Sequence, residues 1–295
     1  MIVARSGDAA TYCFGVGAAQ KPMSCYVGLI RACHPQPALA VTGFTTALAV
    51  GSNRRWESVL VGSAVLAGQL AVGWSNDFID RDRDRDNHRI DKPIVAGAVM
   101  PELVRNSAIV AAAACVPLSF LSGWRAGAVH TAAVSAAFAY NARLKSTVFS
   151  VVPYVAAFGA LPAFVALGGG APVRPSNSAT LAAALMGAGA HFINTLPDLE
   201  GDASTGVRGL PHRLGRTRST YAGAALLATA TGVVARTNGA PLGTASRLLA
   251  ISAITSVAGV VAAATTRRER LAWSLSLATA ASTVALYLTR HETLR

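Results

Sequence analysis

The sequence predicts an all-α membrane protein, a bundle of about nine transmembrane helices, on three observations. Hydrophobic residues make up 52% of the 295 positions and charged residues only 14%, where a soluble domain carries about 25% charged. Mean hydropathy is +0.43. Runs rich in Ala, Leu, Val and Gly recur with few charges inside them, and most approach the ~20 residues that a helix needs to cross a bilayer.

Taken in order, residues 1–28 lack the basic start, apolar stretch and small-residue cleavage pattern of a signal peptide. They are expected to form a cytoplasmic N-terminal tail, disordered over about the first 22 positions. Residues 29–295 read as one transmembrane domain. Leu29-Ile30-Arg31-Ala32-Cys33-His34-Pro35 mixes apolar with basic residues, as a helix lying in the membrane interface does. His34 reads there as an interfacial residue before a proline stop rather than as a ligand. Spans are expected at 37–52, 58–75, 103–121, 126–140, 147–168, 178–196, 219–235, 244–265 and 271–288, the first and fourth being short. Trp56, Trp124 and Trp273 fall near span beginnings, where an indole favours the headgroup level. A polar connector over 87–97 follows the second span, punctuated by Pro93 and Gly97. Pro153 and Pro162 are expected to kink the fifth span, as is tolerated where neighbouring helices re-satisfy the backbone beside a cavity. The sixth ends in His191-Phe192-Ile193-Asn194-Thr195-Leu196-Pro197. A helix continued through it sets His191, Asn194 and Asp198 on one face, unless Pro197 breaks the register. An ionisable residue inside a membrane is a functional-site hypothesis. From Ser219 onward, spans rich in small residues close the bundle.

The net charge of +12 would suggest nucleic acid on a soluble protein. Here Lys and Arg concentrate in alternate connections, on the side that holds the N-terminus and the loops around Arg143 and Arg267. By the positive-inside rule that side is cytoplasmic, and the arginines answer to topology and anionic lipid rather than to nucleic acid. The four cysteines show neither CxxC spacing nor a partnering histidine pattern, which excludes a zinc site or a disulfide framework. No obligate protein partner is evident.

Chemistry concentrates in Asn76-Asp77-Phe78-Ile79-Asp80-Arg81-Asp82-Arg83-Asp84-Arg85-Asp86. At about 100° per residue Asp77, Asp80 and Asp84 share a ~60° arc, with Asp82 and Asp86 on the other side. Carboxylates crowded on one face repel one another unless a divalent cation or a basic ligand sits among them, and magnesium prefers such hard oxygens. A solvated helix laced by Asp-Arg pairs is the alternative. The second cluster, Asp198-Leu199-Glu200-Gly201-Asp202, again follows an apolar run and again sets two Asp at i, i+4. Two acidic helix ends fit the halves of one site, holding a diphosphate through bridging Mg2+.

With these two clusters the sequence resembles the UbiA superfamily of intramembrane prenyltransferases. The first family motif, NDxxDxxxD, is matched by Asn76, Asp77, Asp80 and Asp84, and the second, DxxxD, by Asp198 and Asp202. Motif spacing, helix count and Asp91-Lys92-Pro93 agree along nearly the whole chain. The resemblance implies a central cavity capped on the cytoplasmic side by the 87–97 connector. It implies that Asp77, Asp80, Asp84, Asp198 and Asp202 hold Mg2+ on an isoprenyl diphosphate. Asn76, Arg89, Lys92, Tyr140, Lys145, His191, Asn194 and Arg213 are the candidate substrate-binding residues, and Tyr154, Phe158 and Phe164 are candidates for lining an isoprenoid tunnel. The implied reaction ionises the diphosphate and transfers the prenyl group to an aromatic or other lipophilic acceptor. The alternative within the superfamily is a terpene cyclase, in which the cation is attacked by its own double bonds. The chain departs from the family in carrying Pro197 where a Lys often precedes the second motif; Arg208, His212, Arg213 and Arg216 are candidates to replace it. A transporter would instead show internal repeats and charges near the midplane.

Overall fold

The computed structural model describes residues 25–291 except 55, 205, 238 and 240, so the disorder expected of the N-terminal tail lies outside the described residues. Within them the chain is helical and contains no strand. The helices are α1 (Cys25–Ala32), α2 (Pro35–Gly51), α3 (Glu57–Asp86), α4 (Pro101–Leu121), α5 (Trp124–Ala142), α6 (Val152–Leu167), α7 (Asn177–Thr195), α8 (Leu199–Ser204), α9 (Leu210–Ala235), α10 (Thr244–Thr265) and α11 (Glu269–His291).

Short connections make sequence neighbours into spatial neighbours. Each long helix packs against the next, α2 on α3 and so on through α7 on α9 and α10 on α11, and α11 returns to α2, so that the bundle closes into a ring. Its walls are mortared by Val41, Val61, Val65 and Phe164 on one side and by Leu196, Leu227, Val257 and Val260 on the other. Large apolar side chains such as Leu39, Val110 and Ile251 point outward, while Asp77, Asp80 and Asp84 are buried inside. That is the distribution expected of a bundle solvated by lipid.

Among the described residues six stretches are long and apolar enough to cross a membrane: Glu57–Asp86, Pro101–Leu121, Val148–Leu167, Asn177–Asp202, Thr244–Thr265 and Glu269–Arg290. The spans expected at 37–52, 126–140 and 219–235 form helices but fall outside this group. Helix α2 has 17 residues and includes Thr42, Thr45 and Thr46, whose hydroxyls donate back to carbonyls one turn earlier. Helix α5 contains Arg125 and His130, and α9 starts with Arg213, Arg216 and Arg218.

Three local expectations change. Pro153 starts α6, behind a 3-10 turn over Val148–Val151, instead of kinking a longer helix; Pro162 does lie inside α6. A proline lacks the N–H that continues a helix but suits its first turn. Pro197 ends the register: α7 stops at Thr195 and a 3-10 turn, Leu196–Asp198, leads into α8. Trp56 and Trp124 are exposed, whereas Trp273 packs on the Leu196–Leu227 core. Helix α9 is broken at Gly215 (φ 75°, ψ 170°), a conformation open to a residue without Cβ, which frees the segment bearing His212 to turn toward the ring's centre.

Candidate active site

The last turns of α3 present Asp77, Asp80 and Asp84 inward, 1%, 6% and 6% exposed, while Asp82 and Asp86 face out. The helical arc therefore has the burial that its spacing predicts. From across the ring the α7–α8 turn brings Asp198 and Asp202 to the same cavity, of about 770 Å³.

Each carboxylate meets a cation. Lys92 Nζ donates to Asp77 at 3.1 Å and stands 3.9 Å from Asp84. Lys145 donates to Asp80 Oδ1, and Arg83 reaches Asp80 Oδ2 at 2.6 Å and Asp202 at 3.8 Å, bridging the two motifs. Arg89 joins Asp91 at 2.9 Å and also contacts Asp198, so the α3–α4 connector is tied to the second motif. Asn76 donates to Asp80 Oδ2 at 3.1 Å and to Asn141 Oδ1 at 3.3 Å, and Asn141 is itself held by Val72 and Ser75 of α3. In the connector, the Asp91 hydrogen bonds and the neighbouring Asp198 charge raise the Arg89 pKa further, and Arg89 in turn holds Asp91 below the usual carboxylate range. Burial pushes the Lys145 ammonium down, opposed by Asp80.

Beneath the charged layer lies a ring cluster. Tyr140 and Tyr154 meet edge to face at 5.1 Å, Asn194 lines the cavity beside them, and His191 packs 4.7 Å from the Tyr154 ring and 5.6 Å from that of Tyr140. Phe158 stacks on Tyr154, and below it Leu161, Met186 and Leu277 make the cavity apolar. His191, Asn194 and Asp198 line the same cavity although Pro197 prevents one continuous helical face.

Among the candidates, Asn76, Arg89, Lys92, Tyr140, Lys145, His191 and Asn194 line this cavity, together with all five motif aspartates. Arg213 does not: it is exposed and donates Nε to the Arg208 carbonyl. His212 takes the inward position instead, 3.4 Å from Asp202. Phe164 is fully buried in the wall, stacked on His130 at 4.5 Å, rather than in the lining. Residues that sequence reasoning did not single out are Arg83, Asn141 and Ser150; His34, read as interfacial rather than as a ligand, stands 3.8 Å from Asp77. Arg83 carried a signal, being i+3 from Asp80 within the motif.

Among the described residues no three His, Cys, Asp or Glu side chains are drawn together as a metal cluster. The donor set nonetheless suits Mg2+: the oxygens are hard, and Asp77 Oδ2 and Asp84 Oδ2 are buried without a hydrogen-bond partner.

Known proteins resemble this chain in sequence and in fold. The chain is 31% identical over 214 residues to the digeranylgeranylglyceryl phosphate synthase of Natronomonas pharaonis, covering 69% of this chain and 74% of that one. It is 34% identical over 182 residues to the bacteriochlorophyll synthase 33 kDa chain of Cereibacter sphaeroides, spanning 58% of this chain and 59% of that relative. In fold it is similar to an apo UbiA homolog from Aeropyrum pernix K1, with a TM-score of 0.70 at 21% identity over 87% of this chain and 98% of the other. A UbiA homolog from Archaeoglobus fulgidus bound to GPP and Mg2+ gives 0.65 at 18% identity over 88% and 99%. The UbiA prenyltransferase family model itself matches residues 38–276, from α2 into α11, and across that length takes in both acidic motifs: the chain belongs to the UbiA prenyltransferase family.

Proposed function

We propose that this protein is a Mg2+-dependent intramembrane prenyltransferase that ionises an isoprenyl diphosphate and transfers the prenyl group to an aromatic or other lipophilic acceptor, releasing diphosphate. The observation that carries this reading is the polarity of this cavity: two facing carboxylate clusters with matched cations at one end, aromatic and aliphatic side chains at the other. The ring of helices would sit in the bilayer with all nine long helices crossing, the α3–α4 connector capping the cavity, and N-terminus and Asp motifs cytoplasmic.

Asp77, Asp80, Asp84, Asp198 and Asp202 are the residues that would hold Mg2+. Bound there, the metal would supply Lewis-acid stabilisation of the leaving group. The chain's own groups do the rest. Lys92, Lys145, Arg83 and Arg89 exchange carboxylate partners for diphosphate oxygens, and the Tyr140 hydroxyl can donate to the same anion. When the C1–O bond breaks, its electron pair leaves with diphosphate, and an allylic cation remains beside the rings of Tyr154 and Phe158. Each well-placed ring contributes about 0.5–2 kcal/mol of cation-π stabilisation. The acceptor then forms the new bond at C1 and loses a proton. In the cyclase alternative the cation's own double bonds take the acceptor's place.

Detergent-purified protein incubated with Mg2+ and geranyl, farnesyl or geranylgeranyl diphosphate should release diphosphate and, with an aromatic or lipid acceptor present, yield a prenylated product by mass spectrometry. An Asp77→Ala, Asp198→Ala double variant, and wild type in EDTA, should be inactive. Cyclic hydrocarbons or terpene alcohols formed without acceptor would select the cyclase, and no diphosphate release with any donor would refute ionisation.

Arg89→Gln should raise KM for the prenyl diphosphate about 10- to 100-fold, since a charge-assisted hydrogen bond contributes about 1.5–3 kcal/mol. Steady-state kinetics with unchanged kcat would fit a binding role; an unchanged KM would mean that Arg89 only ties the connector to Asp198.

A further inference from the structure

His191 is the buried ionisable side chain of the ring cluster for which transfer chemistry has so far supplied no task. It is 1% exposed and lines the cavity, where carboxylates and cations give way to Phe158 and Leu161. Its Nε2 lies 3.0 Å from Ser150 Oγ, and Ser150 Oγ accepts the Leu210 backbone N–H at 2.9 Å. Among the described residues Nε2 is the acceptor in reach of the Ser150 hydroxyl proton. The chain of donors therefore runs from Leu210 N–H to Ser150 O–H to His191 Nε2. That direction assigns the imidazole proton to Nδ1, because a neutral imidazole whose Nε2 accepts must carry its hydrogen on the other nitrogen. Nδ1 is buried and has no hydrogen-bond partner. Buried donors are ordinarily satisfied, so one left over on a cavity wall is a donor kept for a ligand.

Resting on the prenyl diphosphate reading, we infer that His191 Nδ1–H donates a hydrogen bond to the C1 ester oxygen of the diphosphate as the C1–O bond ionises. A prenyl diphosphate laid along the cavity has its phosphates among the aspartates and cations and its chain among the apolar residues, which brings the ester oxygen to the level of the imidazole. As the bond breaks, the electron pair moves onto that oxygen, and the N–H stabilises the growing charge without giving up its proton. Ser150 is a positioning residue: it holds the imidazole in the tautomer that leaves Nδ1 a donor.

The test is positional isotope exchange with geranylgeranyl diphosphate carrying 18O at the C1 ester position, with Mg2+ and no acceptor. Ionisation and return scramble the label into non-bridging positions, whatever the acceptor is. His191→Phe, which keeps a ring and removes the donor, should slow exchange on the order of 100-fold, as loss of one oxyanion donor does. His191→Asn, whose side-chain amide can stand near Nδ1, should recover most of it. Ser150→Ala, which releases the tautomer, should fall between. Binding of the unreactive S-thiolo diphosphate analogue should stay within about threefold of wild type in all three variants, reporting an intact site and a kcat rather than a KM effect. Wild-type exchange rates in His191→Phe would overturn the role, as would a His191→Asn variant as slow as His191→Phe or a loss of analogue binding that matches the loss of exchange. Absence of both exchange and diphosphate release in the unsubstituted protein would instead overturn diphosphate ionisation, and the role of His191 with it.

Discussion

Asp80→Asn will lower prenyl transfer on the order of 1,000-fold, the scale set by removing a key electrostatic group from a preorganised site. Asp80 is the carboxylate on which the resting site converges: it accepts from Lys145, from Arg83 at 2.6 Å and from Asn76 at 3.1 Å. Asparagine keeps the shape and removes the charge. Lys145 and Arg83 then face a cavity with one carboxylate fewer, so the diphosphate still finds cations while the metal loses a ligand. Binding of the S-thiolo analogue, measured by calorimetry, should therefore survive but lose its strengthening by Mg2+. Stability should respond separately. Removing one partner of a buried pair leaves an uncompensated charge, worth about 3–5 kcal/mol in the dry limit and less where the cavity admits water. Adding Lys145→Met should accordingly restore much of the lost thermal stability without restoring activity. If Asp80→Asn turns over within tenfold of wild type, the Asp-Arg run is a structural helix end and the diphosphate reading fails at its centre.

The parts of this site that the chain states locally were legible in the sequence. The arc of Asp77, Asp80 and Asp84 follows from helical periodicity alone, and burial respects it residue by residue. The apolar runs also became helices, because their pattern demands it in any low-dielectric surrounding. Contacts that depend on how chain segments meet were not legible. His34 reads as an interfacial residue beside a proline, yet the left-handed turn at φ 54° aims it at Asp77 and Lys92. Arg213 and His212 are neighbours in one basic stretch, and which of them faces Asp202 is decided by the break at Gly215 and the path of the connection before it. Pro197 reads in the sequence as the residue that decides whether the helical register continues. The break occurs, but the 3-10 turn that replaces the helix still delivers Asp198 to the cavity shared by His191 and Asn194. Nor does spacing reveal that four cations occupy the carboxylates at rest, since charge on an isolated motif says nothing about which distant side chains pair with it.

A glycine with no visible task in the sequence is expected to matter almost as much as the motif. Gly73 lies in α3 one turn before Asp77, and a Cβ there would stand 2.2 Å from the Cys33 carbonyl oxygen and 2.7 Å from its carbon. The obstacle is backbone, so no rotamer can relieve it. Helix α1 is pinned nearby by Trp74 Nε1 donating to the Leu29 carbonyl at 2.8 Å, and the Cys33–His34 turn cannot retreat without disturbing the contacts of His34 with Lys92 and Asp77. Overpacking of this kind costs about 1–3 kcal/mol. Its larger effect is on geometry, because a displacement of about 1 Å near reacting groups can cost on the order of 100-fold in rate. Gly73→Val should therefore show a lower melting temperature in detergent and about 100-fold less transfer, and Gly73→Ala should show the same signs in milder form. Gly43 is the matched control: it is also helical, and a Cβ there meets nothing within 4 Å. Gly43→Ala should keep full activity and gain slightly in stability, as alanine is the better helix former. Equal tolerance at both positions would show that the turn before α2 is not seated on α3, and would remove His34 from the neighbourhood of the first motif.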